Sequence, residues 1–211
     1  EEEVLEFINN YKLKYNIVFD DKQKKAIFNL INNKFSILNG YPGTGKSEIL
    51  NCVCMYLDKI YSNICLSAPT GLATNNLIER CNFEGKNNII NSNLFRLIQV
   101  VFPKILNSLN IESGKRDTLI KLNYDKLGNV KNDTQLQKIQ KDIIDLEYYK
   151  HIPDIIIVDE SSMINLELFS KLVFYVDKFD CRLICVGDEN QLPPIGGGIP
   201  FQDLINCKLF N

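Results

Sequence analysis

Little separates the positive from the negative charges of this sequence: 24 Lys and Arg face 26 Asp and Glu, a formal net charge of -2. That balance excludes a basic nucleic-acid coat and a polybasic membrane binder. No apolar run approaches the roughly 20 residues that cross a bilayer. The acidic opening Glu1-Glu2-Glu3 is unlike a secretory signal. An intracellular protein with no membrane partner is expected. Histidine is limited to His151, and no C-x-x-C pair occurs, so a zinc site is not expected. The seven cysteines are odd in number and most lie in apolar runs, which reads as buried thiols in a reducing compartment. Arginine is confined to Arg80, Arg96, Arg116 and Arg182, against abundant Asn, Lys and Ile, the bias of an AT-rich genome.

What is present fits one globular domain. A chain of 211 residues with 45% hydrophobic content can bury a core, with room for one insertion. Val4, Leu5, Ile8, Tyr11 and Tyr15 recur at helical spacing, so residues 1–19 read as a leading helix. A second helix is expected from Asp20 or Asp21, carrying Ala26, Ile27, Leu30 and Ile31. Short apolar strands are expected at Phe35–Leu38, Ile64–Ser67, Ile155–Val158 and Leu183–Val186. Between them lie helical patterns at about 45–60, 70–81 and 165–178, the last with Leu166, Phe169, Val173 and Val176 on one side. Alternation of helices with continuous apolar strands predicts an α/β fold, a parallel sheet covered on both faces. Residues 104–150 break the rhythm. They read as a small insertion: a hairpin around Thr118–Tyr124 with turns at Gly114 and Gly128, then a helix through Leu136, Ile139, Ile143 and Leu146.

Three strand ends carry chemistry. Gly40-Tyr41-Pro42-Gly43-Thr44-Gly45-Lys46-Ser47 fits G-x-x-x-x-G-K-[ST] between an expected strand and helix. Chance supplies that pattern in only about 1% of chains this size. Glycines let such a loop wrap phosphate with backbone N–H groups, and the helix N-terminus adds its positive end. Lys46 can reach the β- and γ-phosphates of ATP, and Ser47 can ligate Mg²⁺. Asp159 and Glu160 end a buried strand, the edge where open α/β sheets bind ligands. Asp159 would hold Mg²⁺, and Glu160 would orient and deprotonate the attacking water. Gln191 follows the strand at 183–186. It reads equally as a γ-phosphate sensor and as part of a turn stiffened by Pro193 and Pro194. Gln23 lies three residues after Asp20, the spacing of a capping box, and its amide also has the donor and acceptor to read adenine.

Together these residues resemble the first motor domain of a superfamily 1B DNA helicase, the RecD-like and Dda-like group. Phe19 to Ala26 resembles the Q-motif. Gly40 to Ser47 resembles motif I. Ser67-Ala68-Pro69-Thr70-Gly71-Leu72-Ala73 resembles motif Ia, Asp159-Glu160-Ser161-Ser162-Met163 motif II, and Gly187 to Phe201 motif III. The resemblance covers nearly all of the chain outside the insertion, and motifs II and III together are specific. It implies a RecA-like P-loop domain over residues 20–211, ATP and Mg²⁺ as ligands, and 5′-to-3′ movement on single-stranded DNA.

By resemblance, Gln191 becomes the γ-phosphate sensor, and Gln23 reads adenine alongside any capping role. Pro69 and Thr70 touch the single strand, Thr70 being an N-cap candidate as well. Phe95 and Arg96 occupy the place of motif Ib, where the family often has His instead of Phe. Phe95 reads as core, with stacking on a base as the alternative. The insertion sits where the family places a strand-separating pin, with Tyr124 a candidate stacking residue; a solvated variable loop is the other reading. Nothing after Phe201 resembles the motifs of the second RecA-like domain, which supplies the arginine finger. Two other classes remain: a stand-alone P-loop ATPase or kinase, and a non-catalytic nucleotide-binding module. Neither needs the Pro-Thr-Gly and Gln-Leu-Pro-Pro elements.

Overall fold

A computed structural model describes residues 2–81, 88–128 and 133–207. Glu1 of the acidic opening and the last residues, 208–211, lie outside the described set. The chain divides into two compact units, Glu1–Phe95 with Pro153–Asn211, and Arg96–Ile152.

The first unit is built on five parallel strands: β1 (Phe35–Asn39), β2 (Asn63–Ser67), β3 (Asn88–Asn91), β4 (Ile155–Val158) and β5 (Arg182–Gly187). Their order is β1-β5-β4-β2-β3, and Ile157 stands opposite Ile184 on one side and Leu66 on the other. Every residue of β4 is buried, as a central strand covered on both faces requires. Strand β3 is a sheet edge that the sequence pattern did not announce.

Helices α1 (Glu2–Tyr15), α2 (Asp21–Asn32), α3 (Lys46–Leu57), α4 (Gly71–Arg80), α9 (Leu166–Phe179) and α10 (Pro200–Asn206) belong to this unit. Helix α1 buries Val4, Ile8 and Tyr11, and the Tyr11 hydroxyl accepts a bond from Asn51 of α3 at 3.1 Å. Helix α3 is buried nearly all round, through Ile49, Leu50, Cys52, Val53, Cys54, Tyr56 and Leu57. That is the pattern of a helix with packing partners on several sides. Arg182 opens β5 and binds the end of α2, donating to the carbonyls of Leu30 at 2.9 Å and Asn33 at 2.6 Å.

The buried stripe of α9 is rotated from the one expected. Leu166 and Val173 are exposed, while Leu172 and Phe179 are buried and Phe169 and Val176 half-buried. Period alone leaves two adjacent stripes open in an apolar-rich helix; the sheet selects the one running through Leu172.

The second unit is helical. The chain enters through the single turn α5 (Leu94–Arg96) and a π-helical turn, Leu97–Val101, into α6 (Phe102–Leu109). Pro103 has no N–H, so the regular ladder cannot continue through it, and Phe102 donates to Leu97 five residues back. Then follow α7 (Ser113–Leu127) and α8 (Asp133–Glu147). The hairpin expected around Thr118–Tyr124 is therefore corrected: those residues are the middle of α7, and Gly114 lies in its first turn. The residues of α7 that turn inward are Arg116, Leu119, Ile120, Asn123 and Leu127. Their spacing is helical, but two of them are polar, which hid the period. Arg116 is buried, stacks at 4.0 Å on Tyr149 and donates to the Ile111 carbonyl at 2.9 Å. The stripe expected for α8 holds, with Ile143 buried and Leu136, Ile139 and Leu146 half-buried.

Candidate active site

The order β1-β5-β4 sets three chain reversals side by side at the C-terminal edge of the sheet. The loop after β1 starts at Gly40, whose N–H donates to the Gly187 carbonyl at 3.3 Å. Gly43 and Gly45 have φ of 81° and 84°, a region costly for residues with a Cβ. At Gly45 a Cβ would also lie 2.7 Å from the Gln23 amide nitrogen. Thr44 donates to the Tyr41 carbonyl from both N–H, at 3.3 Å, and hydroxyl, at 2.8 Å. The Lys46 ammonium folds back on the loop, donating to the Gly40 carbonyl and, at 3.0 Å, to that of Tyr41.

Gln23 joins this loop to α2. Its side-chain carbonyl accepts from Asp20 N–H at 2.9 Å, and its own N–H donates to the Asp20 carboxylate at 2.8 Å, a complete capping box. Its remaining amide end donates to the Thr44 carbonyl at 3.2 Å. The capping role expected of Gln23 is thus observed.

Asp159 continues the sheet, donating from N–H to the Ser67 carbonyl at 2.9 Å. Its Oδ1 accepts the Glu160 N–H at 2.9 Å. Burial pushes the Asp159 carboxyl above its ordinary range, as does the neighbouring Glu160 charge; the Glu160 N–H, then Arg80, then Lys46 pull it back. Glu160 sits at φ 52°, a left-handed conformation that costs a non-glycine residue about 1 kcal/mol or more. It turns the chain from β4 into the 3₁₀ turn Ser161–Met163.

The third reversal is tied to the other two. Asn39 and Glu189 exchange hydrogen bonds of 2.9 and 3.1 Å, joining the ends of β1 and β5. The Ser162 hydroxyl donates to Gln191 Oε1 at 3.1 Å, joining the turn after β4 to the one after β5. Gly187 lies under both: a Cβ there would meet Phe201 at 2.8 Å and the Ser162 nitrogen at 3.0 Å.

The result is a cleft of about 460 Å³ lined by Gly43, Gly45, Lys46, Ser47, Asp159, Glu160 and Gln191, with Glu48 and Arg80 beside them. A larger groove of about 750 Å³ runs along the outer side of β1, but none of its lining residues is charged. The cleft is therefore the better fit for a polyphosphate. Arg80, Ser162 and Asn39 were given no role from sequence. Ser162 lies within motif II and Asn39 adjoins motif I, whereas no motif marks Arg80.

The residues expected at DNA are only partly brought together. Leu94 N–H donates to the Ala68 carbonyl at 2.9 Å, so Phe95 follows an anchor at the end of β2, beside Pro69 and Thr70. Thr70 caps α4, its hydroxyl accepting the Ala73 N–H at 3.2 Å. Phe95 is 57% exposed, which corrects the reading of it as core: Leu94, fully buried, takes the inward position instead. Arg96 belongs to the second unit.

A family model described as an AAA domain matches residues 23–197. The chain belongs to this AAA domain family. It is 31% identical over 191 residues to the RecBCD enzyme subunit RecD of Haemophilus influenzae, covering 87% of this chain and 26% of that protein. It is 29% identical over 198 residues to the ATP-dependent DNA helicase PIF1 of Saccharomyces cerevisiae, covering 89% of this chain and 18% of that one. Among solved structures, the Pif1 helicase of Candida albicans is 21% identical with a TM-score of 0.46, over 85% of this chain and 35% of that one. The domain thus spans about a quarter or less of these two sequence relatives.

Proposed function

We propose that this domain binds and hydrolyses ATP as the first motor domain of a DNA helicase that moves 5′-to-3′ on single-stranded DNA. The observation that carries the reading is the convergence of three motifs on one cleft, linked by the Ser162–Gln191 hydrogen bond. The N–H groups of the Gly40–Lys46 loop and the Lys46 ammonium would hold the phosphates. For Lys46 this means leaving the loop carbonyls for phosphate oxygens, a stronger charge-assisted partner.

Ser47 and Asp159 line the same cleft and present hard oxygen donors, which suits Mg²⁺. The fit has a physical basis: a carboxyl whose ionisation is opposed by burial gains most from a nearby dication. When bound, Mg²⁺ neutralises charge on the β- and γ-phosphates. Glu160 orients the attacking water and takes its proton. Gln191 meets the γ-phosphate and, through Ser162, reports its loss to the turn after the acidic pair. Gln23 reads adenine. Pro69, Thr70, Phe95 and Arg96 face single-stranded DNA, with Phe95 stacking on a base. A second RecA-like domain of the same protein closes the cleft and brings the arginine finger.

The test is ATP turnover by the protein that carries this domain, with and without single-stranded DNA. DNA should stimulate turnover, and Lys46→Ala or Glu160→Gln should abolish it. Turnover indifferent to DNA would overturn the helicase assignment in favour of an ATPase acting elsewhere.

A further inference from the structure

The charges lining the cleft do not favour a triphosphate through Lys46 alone. Glu48, Asp159 and Glu160 carry negative charge there, and Lys46 is the one cation that the motifs account for. ATP brings several further negative charges into the same space. Among the described residues, the other cation on the lining is Arg80, in the last turn of α4.

Its placement is fixed by packing. Leu77, one turn earlier, and Cys81, the next residue, line the same cleft. Cys81 caps α4 with its N–H on the Leu77 carbonyl, and its sulfur lies 3.4 Å from that of Cys54 in α3. The end of α4 is thereby seated against the helix that the phosphate loop opens. Arg80 itself is exposed, and among the described residues its guanidinium makes no hydrogen bond or ion pair within the protein. A planar, permanently charged fork is well suited to phosphate oxygens.

We infer that Arg80 is a second phosphate-binding cation of this cleft, contributed by the domain itself from the end of α4 and acting beside Lys46 on the nucleoside triphosphate. The inference rests on the reading of the cleft as an ATP site. It is distinct from the finger expected of a second domain, because Arg80 lies on the same unit as the phosphate loop.

The experiment is titration of the full chain with a fluorescent N-methylanthraniloyl-ATP and magnesium at physiological ionic strength. Wild type, Arg80→Ala, Arg80→Lys and Lys46→Ala are compared, with a thermal melt of each to confirm folding. Arg80→Ala should weaken binding about tenfold, the scale of one charge-assisted contact. Arg80→Lys should fall between, because it keeps the charge and loses the fork. Arg80→Ala binding within about twofold of wild type, while Lys46→Ala loses the probe, would overturn the role of Arg80 and leave the ATP site standing. Lys46→Ala binding as wild type would overturn the ATP site and this inference with it.

Discussion

Gln23 donates from its side-chain amide to the carbonyl of Thr44 at 3.2 Å, while its other amide atom closes the cap on Asp20. Both ends of the group proposed to read adenine are thus engaged in organising α2 and the phosphate loop. Gln23→Ala should therefore have two separable effects. Loss of the cap should lower unfolding free energy by about 1 kcal/mol, read by denaturant titration. If the amide also meets the base, preference for ATP over GTP should fall as well. A variant that is less stable yet discriminates as wild type would leave Gln23 a purely structural residue.

Asp159 gives a pH prediction. Burial raises its folded pKa above the unfolded value of about 3.9. A group shifted this way contributes stability that is full below the unfolded pKa and is lost as pH rises through the folded pKa. At neutral pH the ionised, half-buried carboxylate works against the fold. Asp159→Asn keeps an oxygen for the Glu160 N–H and removes the charge. It should melt at a higher temperature than wild type at neutral pH without metal, the difference shrinking as pH falls below the carboxylate range. Added Mg²⁺ should raise the melting temperature of wild type more than that of the variant. Equal responses of the two proteins to Mg²⁺ would remove Asp159 from the metal site.

The parts of the site legible in sequence are those where local pattern and chemistry coincide. Continuous apolar strands ending in Gly40, Asp159 and Gly187 announce both the sheet and its active edge, because only one edge of a parallel sheet gathers such ends. The cap at Asp20 and Gln23 is equally local. What escaped depends on the third dimension. Arg80 is one cation on a helix end until α4 packs against α3. The inward face of α7 includes Arg116 and Asn123, so hydrophobic period misses it. Phe95 reads as core until its neighbour Leu94 takes the buried position. In α9 the sequence is apolar on two adjacent stripes, and the sheet decides between them.

The cysteines should separate by burial. Cys207 is exposed and the other six are buried. Burial pushes the thiols of Cys52, Cys181 and Cys185 up to about 12 and raises that of Cys65 as well. Cys54 is raised by its hydrogen bond with Cys81, with burial adding to it. Thiolate is the reactive form, so iodoacetamide near neutral pH should label Cys207 quickly and the rest only after denaturation. Peptide mapping by mass spectrometry reads the outcome. Early labelling of Cys54 or Cys81 would mean that the α3–α4 contact opens in the native protein.

Ser162 offers the sharpest test of coupling within the cleft. Its hydroxyl holds Gln191 by the carbonyl end of the amide, at 3.1 Å, leaving the amide nitrogen as the donor available to a phosphate oxygen. Ser162→Ala removes that tether without touching the phosphate loop. A residue that orients a group needed late in the reaction should affect turnover more than binding. DNA-stimulated kcat in the protein carrying this domain should therefore drop several-fold, with KM for ATP within about twofold of wild type. Gln191→Ala should show the larger loss, and the double variant should lose little more than Gln191→Ala alone, since Ser162 acts through Gln191. Fully additive losses would separate the two residues and break the proposed link between γ-phosphate sensing and the turn after the acidic pair.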